Sequence, residues 1–213
     1  MNYSHDTHNS DTEVRIKSPA PSRRHGLMTR ALHAGLAILV TGQLVTSLVM
    51  PERVPGQTPD VLLTVHEYGG LVTLVFATVF LFAVFFRRKG TSAGQLFPWF
   101  SAQRRRALSA DIRIHYESAR KLRWPTYDER AAMPSAIHGL GLLLMFAMAS
   151  LGTIWFAVDL AGYREAAAFN FILDVHKALA NLVWAYLIGH ASMAVLHHFT
   201  QGQSLKEMWS LRS

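Results

Sequence analysis

Five histidines carry the chemistry that this sequence can offer: His33, His66, His138, His176 and His190, each inside a long apolar stretch. Neutral imidazole gives a nitrogen lone pair to a metal and exchanges a proton near neutral pH. A polar side chain in an apolar span is costly, so each is a functional candidate by default. His176 and His190 stand 14 residues apart. That is close to four helical turns, so on a helix they share a face within about 40°. The chain has 11 His and no Cys. Disulfides, Cys zinc sites, iron–sulfur clusters and thiol catalysis are thereby excluded. His197 and His198 close the last apolar stretch, while His5 and His8 lie in a polar N-terminal segment and read as solvated.

The elements that must position these side chains follow from composition. Of 213 residues, 50% are hydrophobic and only 16% are charged. Mean hydropathy is +0.16. Soluble domains carry about 25% charged residues, so the chain reads as an integral membrane protein. Four runs are long enough to span a bilayer: Leu27–Met50, Val61–Phe86, Ala136–Val158 and Val175–Phe199. Arg30, Glu67 and Lys177 lie near span ends, where long side chains reach the interface. The fold expected is an all-α bundle of four transmembrane helices. The net charge of +7 could suggest nucleic acid, but the basic residues flank the spans, and no nucleic-acid partner is expected. No internal repeat, glycine-rich phosphate loop or Ser–His–Asp pattern stands out.

Charge sets the direction of the spans. The first 30 residues, the segment 87–135 and the C-terminal tail hold 18 of the 21 Lys and Arg; only Arg53, Arg164 and Lys177 lie on the other side. By the positive-inside rule both termini and the middle loop are cytoplasmic. Residues 1–26 read as a disordered cytoplasmic arm rather than a signal peptide. In the basic loop 87–135, Leu108, Ile112, His115, Ala119 and Leu122 recur at helical spacing among Arg and Lys. That pattern suits an amphipathic helix lying on the lipid of the inner leaflet.

Direction and position together give depth. His33 lies about two turns in from the cytoplasmic face and His66 about one turn from the outer face. His176 is near the outer face, and His190 lies about 21 Å deeper along the same helix. Two layers result, with His66 and His176 outer and His33 and His190 inner. His138 also opens inward and competes with His33 as the partner of His190. Two facing His at one depth suit one planar cofactor between helices, and bis-His ligation of haem iron closes both axial positions. A zinc or copper site would need three or four converging donors, and the outer layer offers two. The scattered Gly35, Gly42, Gly69, Gly70, Gly139, Gly141, Gly152 and Gly189 let a ring or a neighbouring helix approach, though any one alone reads as plain helix packing.

These residues also carry a resemblance. His176-Lys-Ala-Leu-Ala-Asn-Leu, Gly189-His190-Ala, Leu196-His197-His198-Phe199 and Ser204-Leu205-Lys-Glu-Met208 closely resemble the fourth span of bacterial cytochrome b561 proteins. That group is related to the cytochrome b subunits of nickel-iron hydrogenases and formate dehydrogenases. Arg30-x-x-His33, His66-x-x-x-Gly70, and His138 with Leu151-Gly152 extend the likeness across residues 27–210. Ala34 and Ser150-Leu151 depart from the family pattern without touching a ligand position. The resemblance implies a domain at 27–210 with two haem b groups, axial pairs His33–His190 and His66–His176, and electron exchange between the inner haem and a quinone. It implies that His138 and His197 are not iron ligands; His138 is a candidate quinone-site residue.

The function expected is electron transfer in the bacterial inner membrane, between a donor at the outer face and the quinone pool. The first form is the membrane subunit or partner of a periplasmic or membrane-bound dehydrogenase. The alternative is a stand-alone superoxide:quinone oxidoreductase, and a more remote one is a non-redox metal or proton transporter.

Overall fold

The computed structural model describes residues 25–54, 57–122, 131–164, 167–201 and 206–209. Most of the N-terminal arm, through residue 24, lies outside the described residues. The elements are α1 (Leu27–Val49), α2 (Val61–Phe86), α3 (Ala93–Leu96), a 3₁₀ turn (Pro98–Phe100), α4 (Ala102–Arg120), α5 (Ala132–Leu160), α6 (Ala167–Gln201) and α7 (Lys206–Trp209). Among the described residues there is no strand. Helices α1, α2, α5 and α6 are each long and apolar enough to cross a membrane.

Local chemistry explains the helix ends. The Asp60 carboxylate accepts from Leu62 N–H at 2.7 Å and starts α2. Helix α1 stops at Met50, whose extended backbone suits the residue before Pro51. Helix α5 closes with Tyr163 N–H on Val158 O and Gly162 N–H on Asp159 O. Gly162 takes φ +80° there, the left-handed conformation such a cap needs. The third and fourth spanning helices outrun their apolar runs at both ends. Backbone hydrogen bonding ends at caps and not where hydropathy falls, so a hydropathy window misses the outer turns.

The spanning helices pack in chain order, α1 on α2, α2 on α5 and α5 on α6. Leu36, Leu44, Ala77, Leu142, Met145 and Val183 form the centre of the core. Helix α6 is the least enclosed of the four: among its described side chains Val183 alone is buried. It rests on α5 and stands off from α1 and α2.

The middle loop departs from a purely surface reading. Leu96, Phe97 and Pro98 are buried, and α3 packs against α5. The carbonyl of Leu96 rests on Gly139, where an added Cβ would lie 2.0 Å from the oxygen. Helix α4 has no buried residue. It exposes Ile112, Ile114 and Tyr116 beside its arginines. Leu122 leaves the expected helical stripe: the helix ends at Arg120, and Leu122 sits beyond it at φ 53°. Asp111 of α4 accepts from Met133 N–H at 2.7 Å, capping α5 in place of its own N-cap Ala131, which makes no side-chain cap bond.

Two of the three charges near span ends do not reach the interface. Arg30 and Glu67 are buried, at 3% and 8% exposure. Glu67 is held by Arg53 with contacts of 2.7 and 2.8 Å. A buried carboxylate needs an opposite charge more than it needs the interface. Lys177 stays exposed and pairs with Glu52 at 3.1 Å.

Candidate functional site

Two histidine pairs bridge the gap between α6 and the first two helices. His66 of α2 faces His176 of α6, with ring centres 6.4 Å apart and planes at 90°. The ring nitrogens of this layer are set by their neighbours. Thr46 Oγ1 lies 2.9 Å from Gly42 O, one turn back on α1, and 3.0 Å from His66 Nδ1. A hydroxyl has one proton. With that proton on the carbonyl, Thr46 is an acceptor for His66 when the ring carries its proton on Nδ1, the tautomer that leaves Nε2 with a free lone pair. His176 Nδ1 lies 3.2 Å from Met148 O, and a carbonyl only accepts, so His176 has the same tautomer.

Two further side chains hold this layer in register. With the Gln43 amide turned so that its oxygen takes N–H from Gly70 at 3.2 Å, its nitrogen lies 2.9 Å from His66 O, to which it donates, and 3.2 Å from His66 Nδ1. Gly152 of α5 makes room for His176: an added Cβ would lie 2.9 Å from its Cε1. Sequence reasoning noted Gly152 but missed Thr46 and Gln43. They carry no motif, although Thr46 and Gln43 lie two to four turns beyond His33 on the same apolar helix.

At the other level His33 of α1 faces His190 of α6, with centres 6.3 Å apart and planes at 54°. His33 Nδ1 is buried and has no hydrogen-bond partner among the described residues. A metal or an unseen donor would satisfy such an atom. Tyr186, one turn before His190, stacks on its ring at 5.5 Å and 8°. Gly141 admits that tyrosine, since a Cβ there would lie 2.1 Å from Tyr186 Oη. Helix α7 brings Trp209 to 5.7 Å from His33. Tyr186 was legible as the residue four before His190 on one helix face; Trp209 was not, because the chain must fold back to deliver it. His138 of α5 lies edge-on to His190 at 5.2 Å. His197 and His198 lie about two turns further along α6, away from the pair.

The spacings allow a test of fit. With roughly 2 Å from metal to imidazole nitrogen and about 1 Å on to the ring centre, two imidazoles on opposite sides of one iron have centres about 6 Å apart. The pairs at 6.3 and 6.4 Å meet that span. His138 and His190, at 5.2 Å, are closer than it. Among the described residues no three His, Asp or Glu side chains converge as a metal cage would need. Two neutral nitrogen donors per level, in a slot that α6 leaves open, fit a planar haem with both axial positions filled.

The α1–α2 and α5–α6 connections hold a further cluster of charge. Arg53 joins Glu67 and also Asp159, whose Oδ2 lies 3.0 Å from Arg53 Nη1; Arg164 reaches the same Asp159. The sequence model of a family described as prokaryotic cytochrome b561 matches residues 24–211 of the chain. No curated protein and no solved structure matches it.

Proposed function

The chain belongs to the prokaryotic cytochrome b561 family, and from that membership, which makes it a multi-pass membrane haem b cytochrome of electron transfer, we propose a specific assignment. Two haem b groups are held, one by His66 and His176 and one by His33 and His190. They carry electrons across the bacterial inner membrane between a donor at the outer face and the quinone pool, with the protein serving as membrane subunit or partner of a dehydrogenase. The observation that carries this reading is the repeated spacing: two His pairs, 6.4 and 6.3 Å apart, each sharing α6. A haem held at each level by its histidine pair would supply one-electron transfer.

The chain's own residues do the rest. Thr46 and the Met148 carbonyl lie against Nδ1 of His66 and His176 and favour the tautomer in which Nε2 would be the nitrogen offered to a haem. Tyr186 packs His190 in one orientation. The 18 basic residues on one side and three on the other favour cytoplasmic termini and a cytoplasmic middle loop. That places His33 and His190 inward, where His138 and the basic loop are candidate hydrogen-bond partners and proton donors for a quinone. Inhibitor binding reduced in His138→Ala supports this role, and binding left unchanged removes it.

The test of the assignment is a pyridine haemochrome count on the purified chain. Two b-type haems are expected. His66→Ala or His176→Ala should remove one and leave the other, and His33→Ala or His190→Ala should do the reverse. One haem in the parent protein, or an inner site emptied by His138→Ala, would overturn the pairing. A large partner that co-purifies supports the dehydrogenase form; superoxide-dependent quinone reduction by the isolated chain would replace it with the stand-alone form.

A further inference from the structure

Four charged side chains meet where the α1–α2 and α5–α6 connections close the bundle. Arg53, from the α1–α2 connection, holds both oxygens of Glu67 at 2.7 and 2.8 Å through Nη2. Its Nη1 reaches Asp159 Oδ2 at 3.0 Å. Arg164 Nη2 lies 3.0 Å from the same oxygen, and its Nε contacts Oδ1. The Asp159 and Glu67 side chains are 1% and 5% exposed; those of Arg53 and Arg164 are 14% and 32%. The glycine turn at Gly162 swings the chain so that Arg164 reaches back to Asp159. The network therefore joins α2, the end of α5 and both outer connections.

Burying ions is expensive, and an apolar group of similar size is often as stable or more so. In a membrane bundle such a replacement is readily at hand, so buried ions point to an electrostatic role. Glu67 is the residue next to His66. Two arginines and two carboxylates sum to zero charge. In a low-dielectric setting a single unbalanced charge is felt well beyond contact distance.

We propose that the Arg53–Glu67–Asp159–Arg164 network is a charge-balanced clamp that positions the outer helix ends and sets the reduction potential of the haem held by His66 and His176; this rests on the haem assignment above. An excess negative charge there favours the oxidised iron and lowers the potential. An excess positive charge raises it.

The experiment is a spectroelectrochemical redox titration of the haem-loaded full chain, with thermal unfolding measured in parallel. Glu67→Gln and Asp159→Asn, which leave one positive charge in excess, should raise the potential of the outer haem. Arg164→Gln should lower it, and the double variant Glu67→Gln/Arg164→Gln should return it to the parent value. The inner haem should move less throughout. Potentials that stay put, or that shift in one direction in every variant while Tm falls, would overturn the proposal and leave a purely structural clamp. Arg164 is the most exposed member, so its variants are the most tolerant. If the carboxylate variants do not assemble, Arg164→Gln should lower the potential and Arg164→Lys, which keeps the charge, should not; equal shifts in the two would also overturn it. A parent protein without an outer haem would instead mark failure of the haem assignment.

Discussion

His66 and His176 are held more firmly than their counterparts in the other pair. Each has its Nδ1 on a defined partner, the Thr46 hydroxyl or the Met148 carbonyl. Such outer partners typically contribute 10- to 100-fold in metal affinity. Thr46→Val keeps the shape and removes the acceptor. It should weaken haem binding at the outer level by about that factor, read as haem lost from this site on competition with apomyoglobin, with the inner level retained. Gly152→Leu should act at the same level by steric means. Its first side-chain carbon would already lie 2.9 Å from His176 Cε1. The imidazole must then move off the Met148 carbonyl, so the signal of the haem proposed at His66 and His176 should fall while that of the other proposed haem stays. Equal loss at both levels would show general unfolding in place of a local effect.

At the scale of elements, the middle loop has two different parts. Its first part, through Pro98, is tucked against α5 and belongs to the core. Its second, α4, is a basic helix with exposed Ile112, Ile114 and Tyr116. That face suits an anionic membrane surface. The joint between loop and bundle is Gly139, with the Leu96 carbonyl where a side chain would stand. Backbone cannot rotate away as a side chain can. Gly139→Ala should therefore cost about 1–3 kcal/mol by overpacking, seen as a lower Tm in detergent, and should expose the segment around Leu96 to proteolysis. An unchanged Tm would mean that α3 is free to lift off α5.

At the scale of the molecule, α6 supplies one ligand to each proposed haem yet makes its helix contacts mainly with α5. The cofactors would thus join α6 to α1 and α2, and haem-loaded protein should unfold at higher temperature than haem-free protein. The direction of insertion is testable because the chain has no Cys. Thr58→Cys in the α1–α2 connection should react with an impermeant maleimide from the periplasmic side. Ser109→Cys on α4 should react only after the membrane is opened. The reverse pattern would invert the topology and exchange the inner and outer assignments.

The residue order alone carried the membrane class, the four spans, their charge asymmetry and the 14-residue spacing that puts His176 and His190 on one face. These are one-dimensional properties: hydropathy is summed along the chain, and helical period converts spacing into direction. Tertiary structure decided which groups hold the histidines. Thr46 and His66 are 20 residues apart, and Met148 and His176 are 28 apart. Neither separation follows a helical period, so only the packing of one helix on another brings those atoms within a hydrogen bond. The same holds for Leu96 on Gly139 and for Arg53 between Glu67 and Asp159. A span-end arginine reads in sequence as a membrane flank. It becomes the centre of a buried charge network only when three chain segments converge on it and remove the water that would otherwise solvate each charge.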